Sequence, residues 1–156
     1  MSDALESLNG LIVPLTERGL LLPNVAVAEL VAYRLSKEAA NSPAWFLGWT
    51  QWRDQQVPLI DPTSLLGQAP GDARRLPRTL ILNAVGGRSG LHFIALRVWG
   101  IPRSRKVLRG EISTAAEGGG AYIAQVVELA GEDEVLLIPD LVAMEEALEQ
   151  AGLLAR

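Results

Sequence analysis

Short apolar runs, each broken by turn-forming residues within a few positions, limit this chain to a fold of many brief strands. Runs at 11–15, 19–22, 27–33, 45–50 and 57–60 precede a polar, Pro- and Gly-containing stretch at 68–73, and runs at 79–85, 91–98, 106–111, 121–129 and 135–138 follow it. Most are too short for an amphipathic helix, and their Val, Ile, Leu and aromatic content suits half-buried strands. Five runs on either side of one connection predict a mainly β chain folded as two small closed sheets, since closure removes the edges that an open sheet must protect. The expected division is one domain, 1–156, with a first barrel over 1–67, a linker over 68–73 and a second barrel over 74–156. Asp140 is placed to cap a short C-terminal helix whose Leu141, Met144, Leu148 and Ala151 follow three-and-four spacing, and which is free to pack on either barrel. A further short helix is expected at 36–42.

The material for one core is present, because 49% of the 156 residues are hydrophobic. The chain has no cysteine, which excludes a disulfide framework, a thiolate metal site and a cysteine nucleophile. Its single histidine, His92, sits between Leu91 and Phe93 without the neighbours of a catalytic relay, and zinc would need several such ligands. No cofactor and no metal are expected. Gly86-Gly87-Arg88-Ser89-Gly90 lacks the Gly-Lys-Ser/Thr ending of a phosphate loop and reads as a hairpin turn, as does the glycine run at 118–120. Eighteen acidic residues against fourteen basic give a net charge of −4, which argues against general affinity for nucleic acid. The basic stretch 103–109 is read as a solvated strand edge, with an acidic protein surface as its functional alternative and Arg74-Arg75 as an extension. The acidic start, Met1-Ser2-Asp3, differs from the basic and then apolar pattern of a secretory signal. No stretch approaches the roughly 20 apolar residues that cross a bilayer. A soluble cytoplasmic protein without membrane insertion is the expectation.

Within the run 27–33, Glu29 is the odd residue. A carboxylate in an apolar strand must face water or find a partner, since burying it unpaired costs several kcal/mol. Arg53 is the candidate partner, at the polar tip 51–56 of a hairpin between 45–49 and 57–60. On the residues alone, a solvated pair on opposite strands explains both charges, because exposed pairs contribute only about 0–1 kcal/mol.

The segment from Val27 to Pro62 resembles the signature of the CheW-type coupling domain of bacterial chemosensory systems. Val27, Glu29, Leu30, Pro43, Ala44, Gly48, Arg53, Pro58 and Asp61 fall on that pattern with no gap in the segment. Weaker likeness continues through 78–83, 93–98 and 134–141. The sequence departs from the pattern at Gln51 for Asn, Asp54 for Gly, Pro62 for Leu, and 97–99, where Val-Asp is common. The resemblance implies two five-stranded SH3-like barrels and an adaptor without catalytic activity. Its partners would be the cytoplasmic tip of a methyl-accepting chemoreceptor and the regulatory domain of a CheA-type histidine kinase. It places receptor binding around Val27, Glu29, Gly48 and Arg53, with Glu29 orienting Arg53 and with Trp52 and Val57 lining a groove between the barrels. Kinase-contacting residues are not assigned. The aromatic-rich hinge and the divergence after Arg53 are similar to accessory coupling proteins that control type IV pili and twitching motility. A flagellar coupling protein and an array scaffold without receptor contact are the alternatives, and a monomer is the expected state.

Four tryptophans complete the pattern. Trp45 is assigned to the core, and Trp49 and Trp52 to partner contact, because aromatic residues anchor interfaces and the tip around Trp52 is polar. An enzyme would require a pocket bringing Glu29, Asp61 and His92 together.

Overall fold

The computed structural model describes residues 7–71, 76–87, 90–115 and 120–153. In chain order its strands are β1 (Ser7–Val13), β2 (Leu20–Pro23), β3 (Val27–Ala32), β4 (Lys37–Glu38), β5 (Phe46–Trp52), β6 (Gln55–Ile60), β7 (Arg78–Asn83), β8 (Phe93–Val98), β9 (Arg103–Leu108), β10 (Ile112–Thr114), β11 (Ile123–Leu129) and β12 (Leu136–Pro139). Among the described residues, two helices, α1 (Pro62–Leu65) and α2 (Leu141–Gln150), complete the regular elements with two single 3₁₀ turns.

The chain is mainly β, as its runs predict. Each of its two sheets has six strands among the described residues, not five. The additions are the short β4 and β10. Strand pairing also divides the chain differently from the expected halves. The first sheet runs β10-β11-β12-β2-β1-β9 and the second β3-β7-β8-β6-β5-β4. The opening hairpin therefore belongs with the C-terminal third: β1 pairs with β9 from Ser7 opposite Leu108 to Ile12 opposite Arg103. The middle of the chain forms the other sheet. Gln68, at the start of the expected linker, accepts the backbone amide of Glu17 at 2.9 Å in the β1–β2 turn.

Three apolar layers follow from this arrangement. The main core lies between the sheets, where Val13, Leu20 and Leu22 meet Phe46, Ile60, Leu80, Leu82, Ile94 and Leu96. Met144 and Leu148 of α2 close it, as the C-terminal periodicity predicts, although the fourth residue of that stripe, Ala151, is exposed. The far face of each sheet has its own cluster, around Ile12, Leu21, Val107 and Val127 in the first and around Trp52, Val57, Leu59, Ile81 and Ala95 in the second. Strands of the second sheet are thus covered on both sides, which explains the continuous burial of β6 from Val57 to Ile60 and of β7 from Thr79 to Leu82.

Asp140 caps α2, its carboxylate accepting the Ala143 amide at 3.0 Å. Residues 36–42 form no helix: Lys37 and Glu38 pair with Trp49 and Gly48 of β5 as an edge strand. Asn41 in that segment has φ 55°, a left-handed angle that ends any helical run.

Candidate partner-binding site

Two bulges set the geometry of the segment that carries the family pattern. In β3 the register against β7 shifts between Val27, opposite Leu82, and Glu29, opposite Ile81. Without the extra residue, Val27 and Glu29 would share a face, because side chains alternate with period two. With it, Val27 and Leu30 turn to the core between the sheets, while Val31 and Tyr33 join the outer cluster on the side of Glu29. In β5 a second shift, between Phe46 and Gly48, sends Phe46 to the central core and Trp52 to the outer cluster.

Of the six predicted binding residues, the structure gathers Glu29, Trp52 and Arg53. The Trp52 indole donates to Glu29 Oε1 at 2.8 Å, and Arg53 Nη2 lies 3.6 Å from the same oxygen. The Arg53 guanidinium stacks over the Trp52 ring, 4.6 Å from its centroid. The expected Glu29–Arg53 pairing is therefore present, on side chains that are 45% and 69% exposed. Trp52 is a correction: it is 7% exposed and packs edge-on against Phe93, with 4.7 Å between ring centroids. The polar residues of the tip suggested exposure, whereas the strand alternation past the bulge points the indole inward. Val57 is likewise buried, beneath Trp52, and lines no open groove.

Gly48 and Val27 lie outside this cluster and act as scaffold. Gly48 has φ 139°, and a Cβ there would collide with the carbonyl oxygen of Lys37, so glycine is what lets β4 lie across β5. Trp45 and Trp49 are half-buried against the central core, with Lys37 Nζ 5.2 Å above the Trp49 ring.

The hairpin tip itself is a two-residue turn. Trp52 pairs with Gln55, leaving Arg53 and Asp54 at φ 48° and 63°. Such a turn needs left-handed backbone at both positions and favours Asn-Gly. Here it carries two charges.

Asp61 does different work from Glu29. Its carboxylate accepts from the Thr63 amide at 3.1 Å and the Thr63 hydroxyl at 2.6 Å, capping α1, and from Arg97 at 2.8 Å. Arg97 is held between Tyr33 and Trp99, 5.8 and 5.3 Å from their ring centroids. The substitution of Arg97 for the usual family residue thus supplies the counter-ion of Asp61.

Sequence reasoning missed Glu145. It is fully buried in α2, and its two carboxylate oxygens accept the successive amides of Val85 and Gly86 at 2.8 and 2.9 Å. An acid inside an apolar helical stripe was the available signal. Gly87, next in that β7–β8 turn, has φ 68°, while residues 88–89 of the expected turn lie outside the described residues. So do Arg74, Arg75 and residues 118–119.

The basic stretch lies on the edge strand β9, and two of its arginines are paired within the molecule. Arg103 and Arg105 bond Glu132 at 2.8 and 3.1 Å, and Arg105 reaches Glu111 at 3.3 Å. The Arg103 hydrogen bond and the charges of both arginines hold Glu132 below its ordinary value of 4.5, against the opposing effect of burial.

An apolar groove of about 520 Å³ opens on the first sheet between Leu8, Leu21, Val107, Leu108, Ile112 and Ile138. It contains none of Glu29, Asp61 and His92. Among the described residues no three acidic or histidine side chains converge as a metal site, and no helix is long and apolar enough to cross a membrane.

A two-sheet β scaffold with a charged, strained hairpin tip beside a buried indole has the form of a binding module. The chain matches the CheW-like domain over residues 9–149 and belongs to that family. No curated protein matches it closely enough to be counted a relative. Its fold is similar to the crystal structure of the scaffolding protein TtCheW from Thermoanaerobacter tengcongensis, with a TM-score of 0.68 at 18% identity, covering 85% of this chain and 88% of that one.

Proposed function

We propose that this protein is a chemosensory adaptor that binds a chemoreceptor tip and a CheA-type histidine kinase, and so couples one to the other by contact alone. Membership of the CheW-like family supports the class of activity. The single observation that carries the receptor site is the Glu29–Trp52–Arg53 cluster, in which a buried indole and a carboxylate fix an exposed guanidinium on the β5–β6 turn of the second sheet. A fixed cation on a rigid turn is suited to docking a helix, since little conformational freedom is lost on binding. Receptor-dependent kinase control then requires only that the contacts differ between signalling states. Val57 packs with Trp52 beneath this surface, while Val27 and Gly48 shape the strands that present it. No enzymatic step is assigned to the chain.

Within the family, control of type IV pili is the proposed pathway, on the aromatic-rich hinge around Trp45, Trp49 and Trp52 and the divergence at Asp54. The adaptor works as a monomer in the cytoplasm, recruited to receptor arrays at the membrane. Recovery of partners from source-cell lysate by the wild type and by Arg53→Glu tests the reading. A histidine kinase and a chemoreceptor are expected with the wild type. The variant loses the receptor while its melting temperature stays nearly unchanged, since an exposed pair contributes about 0–1 kcal/mol. Recovery of kinase without receptor by the wild type favours an array scaffold, and recovery of neither overturns the proposal.

A further inference from the structure

Each sheet sends a short capped helix towards a hairpin turn of the other. Asp61 caps α1 where the chain leaves β6 of the second sheet, and Gln68, just past α1, meets the β1–β2 turn of the first. Its side-chain oxygen accepts the successive amides of Glu17 and Arg18 at 2.9 and 3.3 Å, and its side-chain nitrogen donates to the Arg18 carbonyl at 3.1 Å. The neighbouring Ala69 carbonyl accepts the Thr16 hydroxyl at 2.6 Å, and Gly71 lies so close to the Trp99 ring that a Cβ would overlap it. The other half of the molecule repeats the device. Asp140 caps α2 where the chain leaves β12 of the first sheet, and Glu145 accepts the successive amides of Val85 and Gly86 in the β7–β8 turn of the second.

Apolar packing between the sheets is non-directional, whereas a pair of hydrogen bonds holds both a distance and an angle. The central core therefore keeps the sheets together, and the two side chains set how they lie. We infer that Gln68 and Glu145 are reciprocal latches that lock the two sheets in one orientation, so that a load on the Arg53 turn reaches the first sheet as movement of one rigid body. The transmission rests on the adaptor reading above, while the lock itself stands on geometry alone.

The chain has no cysteine, so spin labels attach only where Ser104→Cys on β9 and Gln55→Cys at the start of β6 place them, both at exposed positions. The distance between the labels is measured in the full chain with native latches and with Gln68→Ala, Gln68→Glu or Glu145→Gln. Native latches are expected to give a single narrow distance, which Gln68→Ala and Glu145→Gln lose to a broad or second one. Gln68→Glu keeps the acceptor for both amides but not the donor, and should fall between. Melting temperatures verify that every variant is folded. The same latch variants without labels are then assayed with a chemoreceptor tip fragment and the histidine kinase of the source cell. Binding to each partner is expected to survive, while the receptor-dependent change in kinase activity falls by about 5-fold or more. An unchanged distance distribution in Gln68→Ala and Glu145→Gln overturns the lock, and a broadened one with receptor control intact overturns its part in transmission; either leaves the adaptor standing. Failure of the wild type to bind either partner overturns the adaptor reading and the transmission with it, and the distances still decide the lock.

Discussion

The carboxylate of Glu29 accepts a hydrogen bond from the Trp52 indole at 2.8 Å and lies 3.6 Å from the Arg53 guanidinium, so the buried residue fixes it more firmly than the exposed one. Glu29 is thereby a relay of position between the outer cluster of the second sheet and its surface.

Trp52→Phe keeps most of the ring but removes the indole donor. It is expected to cost about 1 kcal/mol in urea denaturation and to weaken partner binding by freeing Glu29. Trp52→Ala empties a site packed against Phe93 and Val57 and should cost about 3–5 kcal/mol. Unchanged stability and binding in Trp52→Phe would show the hydrogen bond to be dispensable.

Gly48→Ala drives a methyl group into the carbonyl of Lys37 at an angle that other residues rarely adopt. A loss of at least about 2 kcal/mol is expected. Hydrogen exchange should quicken first at Ala39, whose amide donates to Leu47 at 3.3 Å where β4 crosses β5. A variant with native exchange there would place the strain elsewhere.

Glu145→Gln exchanges an acceptor oxygen for a donor that faces another donor. With two buried amides served by one carboxylate, the expected cost is about 2–3 kcal/mol. The Val85 and Gly86 amides, protected in the wild type, should exchange rapidly in the variant. Protection that survives the change would mean that the turn holds itself.

Glu132 gives the protein a pH-dependent increment of stability. Its folded value lies below 4.5, so the increment is fully present above 4.5 and is lost as pH falls through the lowered folded value. Glu132→Gln should therefore be less stable than wild type at neutral pH and approach it under acid. The difference should not exceed about 1 kcal/mol, since the Arg103 side chain is largely in water. A constant difference across that range would assign the effect to packing.

Much of the strand content is legible in the sequence because apolar runs and turn residues act locally. The ten predicted runs overlap β1–β3, β5–β9, β11 and β12. What escapes is set by partners distant in sequence. Lys37 and Glu38 have no apolar pattern and become a strand only because Gly48 leaves room for them. Trp52 reads as exposed from its polar neighbours, and only the bulge after Phe46 explains its burial. Glu29 and Arg53 are legible as a pair because each is a charge in an otherwise patterned segment. The bidentate role of Glu145 is not, since a helix sequence does not say which amides face it. Nor do five runs on each side of a linker reveal that the outer ones pair with each other.

The pairing of β1 with β9 bears on how the molecule comes into being. During synthesis β1 finds one neighbour in β2 at once and must wait for residues 103–108 before it gains the other. Native contacts of such separation are slow to form, and the apolar side of β1 stays without cover in the interval. Cutting the chain within 68–73 would therefore yield two fragments that each lack strands of the first sheet, and activity should return only when both are present together.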